Sequence, residues 1–568
     1  MPYHAPATDI RFILDHVAGF ADVTATDRFA EATPDVTGAI LTEAAKMCDE
    51  VLAPLQRNGD THPARLENGV VRTSPGFGDG YRAIADGGWI GMCASENYGG
   101  MGLPFSLSVA VNDMMSGACL ALQLKPLMAQ GQIEALEHHA SDAIKDLYMP
   151  KLVSGEWSGT MNLTEPQAGS DVGALASKAE PNGDGTYSIS GQKIYISWAD
   201  NDFTENVCHL VLARLPDGVP GTKGISLFLV PKYIPDADGN PGKQNDLRVV
   251  SLEHKMGLHG SPTAVMQYDG ATGWMVGPEH GGMAAMFTMM NNARVGVSTQ
   301  GIGAAEGAYQ HALAYALDRK QGRAGGSGSI VEHADVRRML AEMKAEIFAA
   351  RAISTMCAVS LDMTTATGDA THRARAALLT PIAKSFGSDT GIKVASLGIQ
   401  VHGGMGVIEE TGAAQYVRDV RVTAIYEGTN GIQAMDLVGR KMMDGGEAAQ
   451  ALLDEVQSGA DAAKGQFPEL AEAVWNASVE LSEATDWLVA RTDMQDRFAG
   501  AVPYQSAFAR VLGGHAHLKA ALHGDETRQR LARFYITRLL PEVSGLLAQV
   551  RAGGVDLLAI SPDDLAVA

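Results

Sequence analysis

The hydrophobic period changes twice along the chain, and the order of those changes limits what the 568 residues can fold into. Up to about residue 160, apolar residues recur at helical spacing. Phe12, Ile13, Leu14, Val17 and Phe20 form one such set, and Ile40, Ala44, Met47 and Val51, ahead of Pro54, form another. Tyr81 to Gly88 and Ser106 to Leu122 continue the pattern around an irregular glycine-rich loop, Glu96 to Pro104. From about 161 the period becomes two. Tyr187 to Ser190 alternates after the hairpin signal Asp184-Gly185. Ile194–Ile196, His209–Leu212, Ile225–Val230, Leu247–Leu252, Val265–Tyr268 and Trp274–Val276 are short strand-type runs divided by turn-rich segments. Past Gly282 long amphipathic runs return over Gly301–Arg319, Val331–Asp362 and Arg373–Gly398, and a last helical block runs from about Glu447 to Ala568. The expectation is a mainly α protein with a central β module of barrel or sandwich type. Its expected domains are an N-terminal helical one (1–160), the β module (161–281), a four-helix bundle (282–445) and an additional C-terminal helical domain (446–568).

Charge narrows the function. Lys plus Arg is 44 and Asp plus Glu is 66, a formal net charge of −22. Such a chain repels a phosphate backbone, which argues against nucleic acid as partner but leaves room for a local basic pocket that takes a phosphorylated ligand. The five cysteines (Cys48, Cys93, Cys119, Cys208, Cys357) are scattered and form no CxxC pair. A disulfide framework or a metal site is therefore not expected, and a reducing cytoplasm is. The opening MPYHAPATDIRFILDHV lacks the basic and apolar regions of a signal peptide, and no run of about 20 apolar, uncharged residues predicts a bilayer span.

Four short segments carry chemistry. MNLTEPQAGSDVGAL (Met161 to Leu175) crowds small residues and hydroxyls, including Thr164 and Ser170, where backbone N–H groups can approach an anion or a ring edge; a plain surface loop reads equally well. SGQKIYISWAD (Ser190 to Asp200) sets an aromatic and a hydroxyl on one strand, able to cover a flat heteroaromatic ring, although strand aromatics more often lie in a core. In QVHGGMGVIEE (Gln400 to Glu410), Gly403 and Gly404 permit close backbone contact and also suit a helix C-cap. IYEGTNGIQAMD (Ile425 to Asp436) places Glu427 between an aromatic and a Gly-Thr turn. Partial desolvation there would raise its pKa toward that of a general base; alone, a solvated loop glutamate is the commoner reading. GIGAAEG (Gly301 to Gly307) follows no strand, so it is not a dinucleotide fingerprint.

In this order, TEPxAGSD, GQKxYIS, QxxGGxG and YEGTNxIQ resemble the signatures of the acyl-CoA dehydrogenase family over about residues 40–445. The resemblance implies bound FAD. Met161, Leu163, Thr164, Gly169 and Ser170 would line the flavin, with Ser170 also near substrate. Tyr195 and Ser197 stand where many members carry a tryptophan and a threonine beside the ring. Arg319, Gln321 and Gln400 match positions that reach the FAD of a neighbouring subunit, Gln400, Gly403 and Gly404 match the family's flavin-contacting QxxGG, and Thr429 and Asn430 follow the base toward the cofactor. Arg294, Tyr426 and Gly428 match the substrate side. The loop RKQGRAGG departs from the family's pattern after Arg319, as does His333-Ala334. The family's second base position is Ala293 here, which leaves Glu427 as the expected base.

The chemistry so implied is removal of an α proton by Glu427 as a hydride leaves the β carbon, giving a trans-2-enoyl-CoA, with electrons passing to an electron-transfer flavoprotein. YHAPATDIRF near the start, HKMGLHGSPT (His254 to Thr263) and the C-terminal block resemble the family's large bacterial branch. That branch includes enzymes for 3-methylmercaptopropionyl-CoA and for broad ranges of fatty acyl-CoA, so the expected substrate is the former, with short-, medium- or broad-range fatty acyl-CoA as the alternative. A homodimer is expected, because the extra helices would cover the surface by which smaller members pair into tetramers. An acyl-CoA oxidase and a DNA-binding relative are the other readings; the net charge and the lack of a Lys/Arg run after residue 445 weigh against the second.

Overall fold

The computed structural model describes residues 3–323 and 326–566. Its first helix, α1 (Ala7–His16), buries Ile10, Ile13 and Leu14 on one face. Further short helices lead to α2 (Phe105–His139), which is buried along most of its length and broken in its middle by the extended backbone of Cys119 (φ −156°) ahead of Pro126. Its first two free N–H groups, on Phe105 and Ser106, donate to the buried carboxyl of Asp362 at 2.6 and 3.0 Å. A small hairpin, Arg65–Glu67 with Val70–Arg72, turns at Asn68-Gly69 (φ 51° and 78°). Asn-Gly is the strongest short hairpin signal, and it went unread inside an otherwise helical stretch.

The β module contains β1 (Trp157–Asn162), β2 (Lys178–Pro181), β3 (Tyr187–Ser197), β4 (Asn206–Arg214), β5 (Ile225–Pro231), β6 (Leu247–Leu252) and β7 (Thr263–Val276). Pairing runs β7–β3–β2–β4–β5 and back to β7, so the ring closes as a barrel; β6 is added at β7 and β1 runs parallel to β4. Ile189, Val211, Phe228, Met266 and Tyr268 fill it. Runs that look separate in sequence are single strands. Val265–Tyr268 and Trp274–Val276 both belong to β7, which absorbs register shifts between Ala264 and Met266 and between Asp269 and Ala271. The first strand starts at Trp157, ahead of the expected boundary at 161.

Three long helices follow: α3 (Gly282–Asp318), α4 (Ala334–Thr367) and α5 (Ala370–His402). The fourth long helix packed with them is α2, from the N-terminal third, rather than one from within 282–445. Glycines set the closest approach. A Cβ on Gly301 of α3 would lie 2.2 Å from the Gly387 carbonyl oxygen of α5, and one on Gly303 would lie 2.6 Å from the Asp113 carbonyl oxygen of α2. By length and apolarity α2 and α4 each pass as a membrane span, yet 94% and 83% of their apolar windows are buried inside the protein. Core burial accounts for that apolarity.

Two short helices, α6 (Ala413–Val420) and α7 (Asn430–Val438), flank the loop that carries Glu427. The C-terminal block is helical and includes α8 (Ala501–His523) and α9 (Glu526–Arg538). It returns to the beginning of the chain. Arg528 pairs with Asp9 and lies over the Phe12 ring at 4.4 Å, Lys519 donates to the Val17 carbonyl at 2.6 Å, and His523 stacks on His16 at 5.2 Å.

Candidate active site

One wall comes from the barrel. After β1 the chain forms an irregular loop fixed by the carboxyl of Glu165, which accepts from the backbone N–H groups of Ala176 (2.7 Å) and Ser177 (3.1 Å) and from the Ser177 hydroxyl (2.6 Å). Lys193 of β3, with no solvent exposure, pairs with the same carboxyl at 2.7 Å and donates to the Leu163 carbonyl at 3.0 Å. Burial pushes Glu165 up, but Lys193 and Ser177 hold it down at about 2. The pinned loop brings Met161, Leu163, Thr164, Gly169 and Ser170 to one cavity of about 820 Å³.

At the end of β3 the backbone turns left-handed at Tyr195 (φ 60°) and again at Trp198 (φ 54°). Non-glycine residues there cost about 1–3 kcal/mol each and persist only where the surroundings hold them. Trp198 is fully buried, with its indole N–H donating to the Ala121 carbonyl at 3.1 Å. Tyr195 is 62% exposed and lines the cavity beside Ser197. A strained, exposed aromatic is not a core strand residue; it presents a flat face to whatever fills the cavity.

The opposite wall is helical. Met283, Phe287, Met290 and Arg294 follow one face of α3, across from Leu124 and Met128 of α2. Between the walls lies the loop of Tyr426, Glu427, Gly428 and Thr429. The Tyr426 hydroxyl donates to Gln300 of α3, and the Thr429 hydroxyl accepts from Ile432 N–H at 3.2 Å, capping α7. Glu427 adopts φ 56° and Gly428 φ 83°. Among the described residues Glu427 Oε2 is shut away from solvent and has no hydrogen-bond partner. That burial pushes the carboxyl up to about 7, against the pull of Arg294 and Lys384. The result is an unpaired acid poised near neutrality, as a general base requires.

Not every expected residue meets this cavity. The Asn430 amide faces α5 instead, donating to Asp389 at 2.7 Å and to Ser388 at 3.0 Å. Arg319, Gln321, Gln400, Gly403 and Gly404 lie exposed at the other end of the bundle, where Tyr315 of α3 stacks on His402 of α5 at 4.5 Å. Arg294 and Arg319 are separated by the length of α3 between them, roughly 37 Å. Ala324 and Gly325 of the departing loop lie outside the described residues. The sequence reading passed over Glu165 and Lys193 as a pair, Gln300, the Met/Phe face of α3, and Lys384. A lysine at a buried phase of an apolar helix was the available signal for the last.

Family models match nearly end to end: the acyl-CoA dehydrogenase N-terminal domain over 36–156, its middle domain over 160–271 and its C-terminal domain over 280–443. A model described as acetyl-CoA dehydrogenase C-terminal like matches 452–561. The chain belongs to the acyl-CoA dehydrogenase family. It is 44% identical to the 3-methylmercaptopropionyl-CoA dehydrogenase of Ruegeria pomeroyi, over 89% of this chain and 88% of the relative. It is 32% identical to a butyryl-CoA dehydrogenase of Syntrophomonas wolfei, over 89% and 90%. An acyl-CoA dehydrogenase from Bacillus anthracis, solved with FAD, shares the fold at a TM-score of 0.76 and 20% identity, over 98% of this chain and 92% of that one. This protein is an FAD-dependent acyl-CoA dehydrogenase. Its residues fit the cofactor: the exposed ring of Tyr195, the Ser197 hydroxyl and the pinned 161–170 backbone form one face of the cavity that the Glu427 carboxyl also lines, with its Oε2 unpartnered among the described residues.

Proposed function

We propose that Glu427 is the base of the dehydrogenation, and the observation that carries this is its carboxyl lining the cavity with Oε2 shielded from solvent and without a hydrogen-bond partner among the described residues. Met161, Leu163, Thr164, Gly169, Ser170, Tyr195 and Ser197 would hold the flavin end of FAD, which when bound supplies the hydride acceptor. Arg294, Tyr426 and Gly428 flank the thioester. The Glu427 N–H makes no hydrogen bond among the described residues, so it is free to donate to the thioester carbonyl and stabilise enolate character as the α proton moves to the Glu427 carboxylate. The apolar faces of α2 and α3 exclude water from that proton transfer.

For the substrate we propose 3-methylmercaptopropionyl-CoA, supported by the relative at 44% identity and by the apolar end of the cavity at Leu124, Met128, Met283, Phe287 and Met290. A thioether is nearly isosteric with a methylene, and one methylene in an apolar pocket is worth only about 1–3 kcal/mol. The expected profile over a panel of CoA esters is therefore comparable kcat/KM for the methylthio ester and for butyryl- and valeryl-CoA, with a steep fall at palmitoyl-CoA. A profile peaking at long chains selects a broad fatty acyl-CoA dehydrogenase instead.

Two partners complete the proposal. The separation of Arg319, Gln321, Gln400, Gly403 and Gly404 from the cavity supports a homodimer in which these residues reach the partner's FAD. Light scattering should give twice the chain mass, and a monomer with full FAD occupancy would overturn it. Electrons are proposed to leave for an electron-transfer flavoprotein, which predicts slow reoxidation in air by stopped flow; fast reoxidation identifies an oxidase.

A further inference from the structure

Two left-handed residues in succession, the first of them not glycine, need something outside the loop to hold them. On one side the Tyr426 hydroxyl is tied to Gln300. On the other, a lysine reaches the loop from the interior of α5. Lys384 has no solvent exposure, and its Nζ donates to the Gly428 carbonyl at 2.9 Å and to Asn430 Oδ1 at 2.9 Å. The second acceptor is itself oriented, because the Asn430 amide donates to Asp389 and Ser388 on the same helix. Burying an ammonium is costly unless it is well solvated by acceptors, and here both acceptors belong to the two residues closely following the base. Gln433 completes the set by donating to the Glu427 carbonyl at 3.3 Å.

We infer that Lys384 is a positioning residue for the base: from inside α5 its ammonium clamps the Gly428 carbonyl and so keeps Glu427 in the turn that lines the cavity. The ammonium does not touch the carboxyl and takes no part in proton transfer. It also contributes positive field at Glu427. The other charged groups around the carboxyl are Arg294 of α3, with Asp436 of α7 and Arg440 beyond it acting on that arginine, and Asp389 of α5 acting on Lys384. Removing Lys384 leaves Arg294, among the described residues, as the cation that lowers the Glu427 pKa. Both roles extend the proposal that Glu427 is the base and rest on it.

The test is a pair of variants of the full-length, FAD-loaded enzyme, Lys384→Met and Lys384→Gln. Lys384→Met removes clamp and charge. It is expected to keep FAD, to leave KM within about threefold, to lower kcat by about 10- to 100-fold, and to move the acidic limb of kcat/KM upward by about one pH unit. Lys384→Gln keeps a donor for the Gly428 carbonyl and removes the charge, so it should lose less kcat and show the same upward limb. Either variant, folded and loaded with FAD, with wild-type kcat and an unmoved limb overturns the inference. Should Lys384→Met fail to fold, the limb in Lys384→Gln decides. Glu427→Gln, run in parallel, separates the two readings: silent Lys384 variants beside an inactive Glu427→Gln remove only this inference, whereas an active Glu427→Gln removes the base itself.

Discussion

Glu427→Gln is expected to lower kcat by at least about 100-fold while the purified protein keeps its flavin absorbance. The substitution preserves shape and removes the proton acceptor. The cavity wall that would hold FAD is made by β1, the 163–177 loop and β3, which the substitution does not touch. The wild-type enzyme carries the matching pH signature. Burial raises the Glu427 carboxyl to about 7, and only the ionised form takes a proton. Thus kcat/KM should fall about tenfold per unit as pH drops below 7 and level off above it, the form given by a single titrating base. Turnover near wild type in the variant, or a flat wild-type profile between pH 5 and 7, rejects the assignment.

Lys193→Met is expected to cost about 3–5 kcal/mol, because it strands the Glu165 carboxyl in a site with 4% exposure and, among the described residues, no other cation bonded to it. The damage should appear in FAD retention as well as in thermal unfolding, since the 163–177 loop is pinned through this pair. The acid dependence has a definite sign. Glu165 is held down at about 2, below the value of about 4.3 of a free glutamate, so its stabilisation is complete above that value and is lost as pH falls from there toward 2. Lys193→Met should flatten that part of the wild-type stability curve. Adding Glu165→Gln to Lys193→Met should recover part of the loss, because a buried neutral amide costs less than a buried unpaired charge. A Lys193→Met protein within 1 kcal/mol of wild type, with FAD retained, refutes this account.

The order of the periods carried the architecture. Helical spacing and strand alternation are local properties, and each survived into the fold at the β3, β7 and α3–α5 segments. Closure of the barrel was not legible, because the β5–β7 and β2–β4 contacts join residues far apart in sequence and leave no periodic trace. Strand lengths were underestimated where bulges at Ala264–Met266 and Asp269–Ala271 interrupt the alternation. At the site, the flavin and base segments were readable because their spacing is contiguous. Tyr195 shows the limit of composition: on a strand it reads as core, and only its left-handed backbone and 62% exposure reveal a residue facing outward into a cavity. Lys384 was only partly readable. Its importance lies in a carbonyl 44 residues away in sequence, and a buried lysine in an apolar helix says only that some acceptor exists.

The junction of residues 9–17 with Lys519, His523 and Arg528 bears on how the molecule is made. A ribosome delivers α1 some 500 residues ahead of its partners in α8 and α9, which at about 5–20 residues per second is on the order of a minute. Through that interval Ile10, Ile13 and Leu14 lack part of the surface that finally shelters them, and an apolar stripe waits for α8 and α9 to emerge. Chaperone demand during synthesis should therefore fall on α1, and chains halted before α9 should be recognised as unfinished by that exposed stripe.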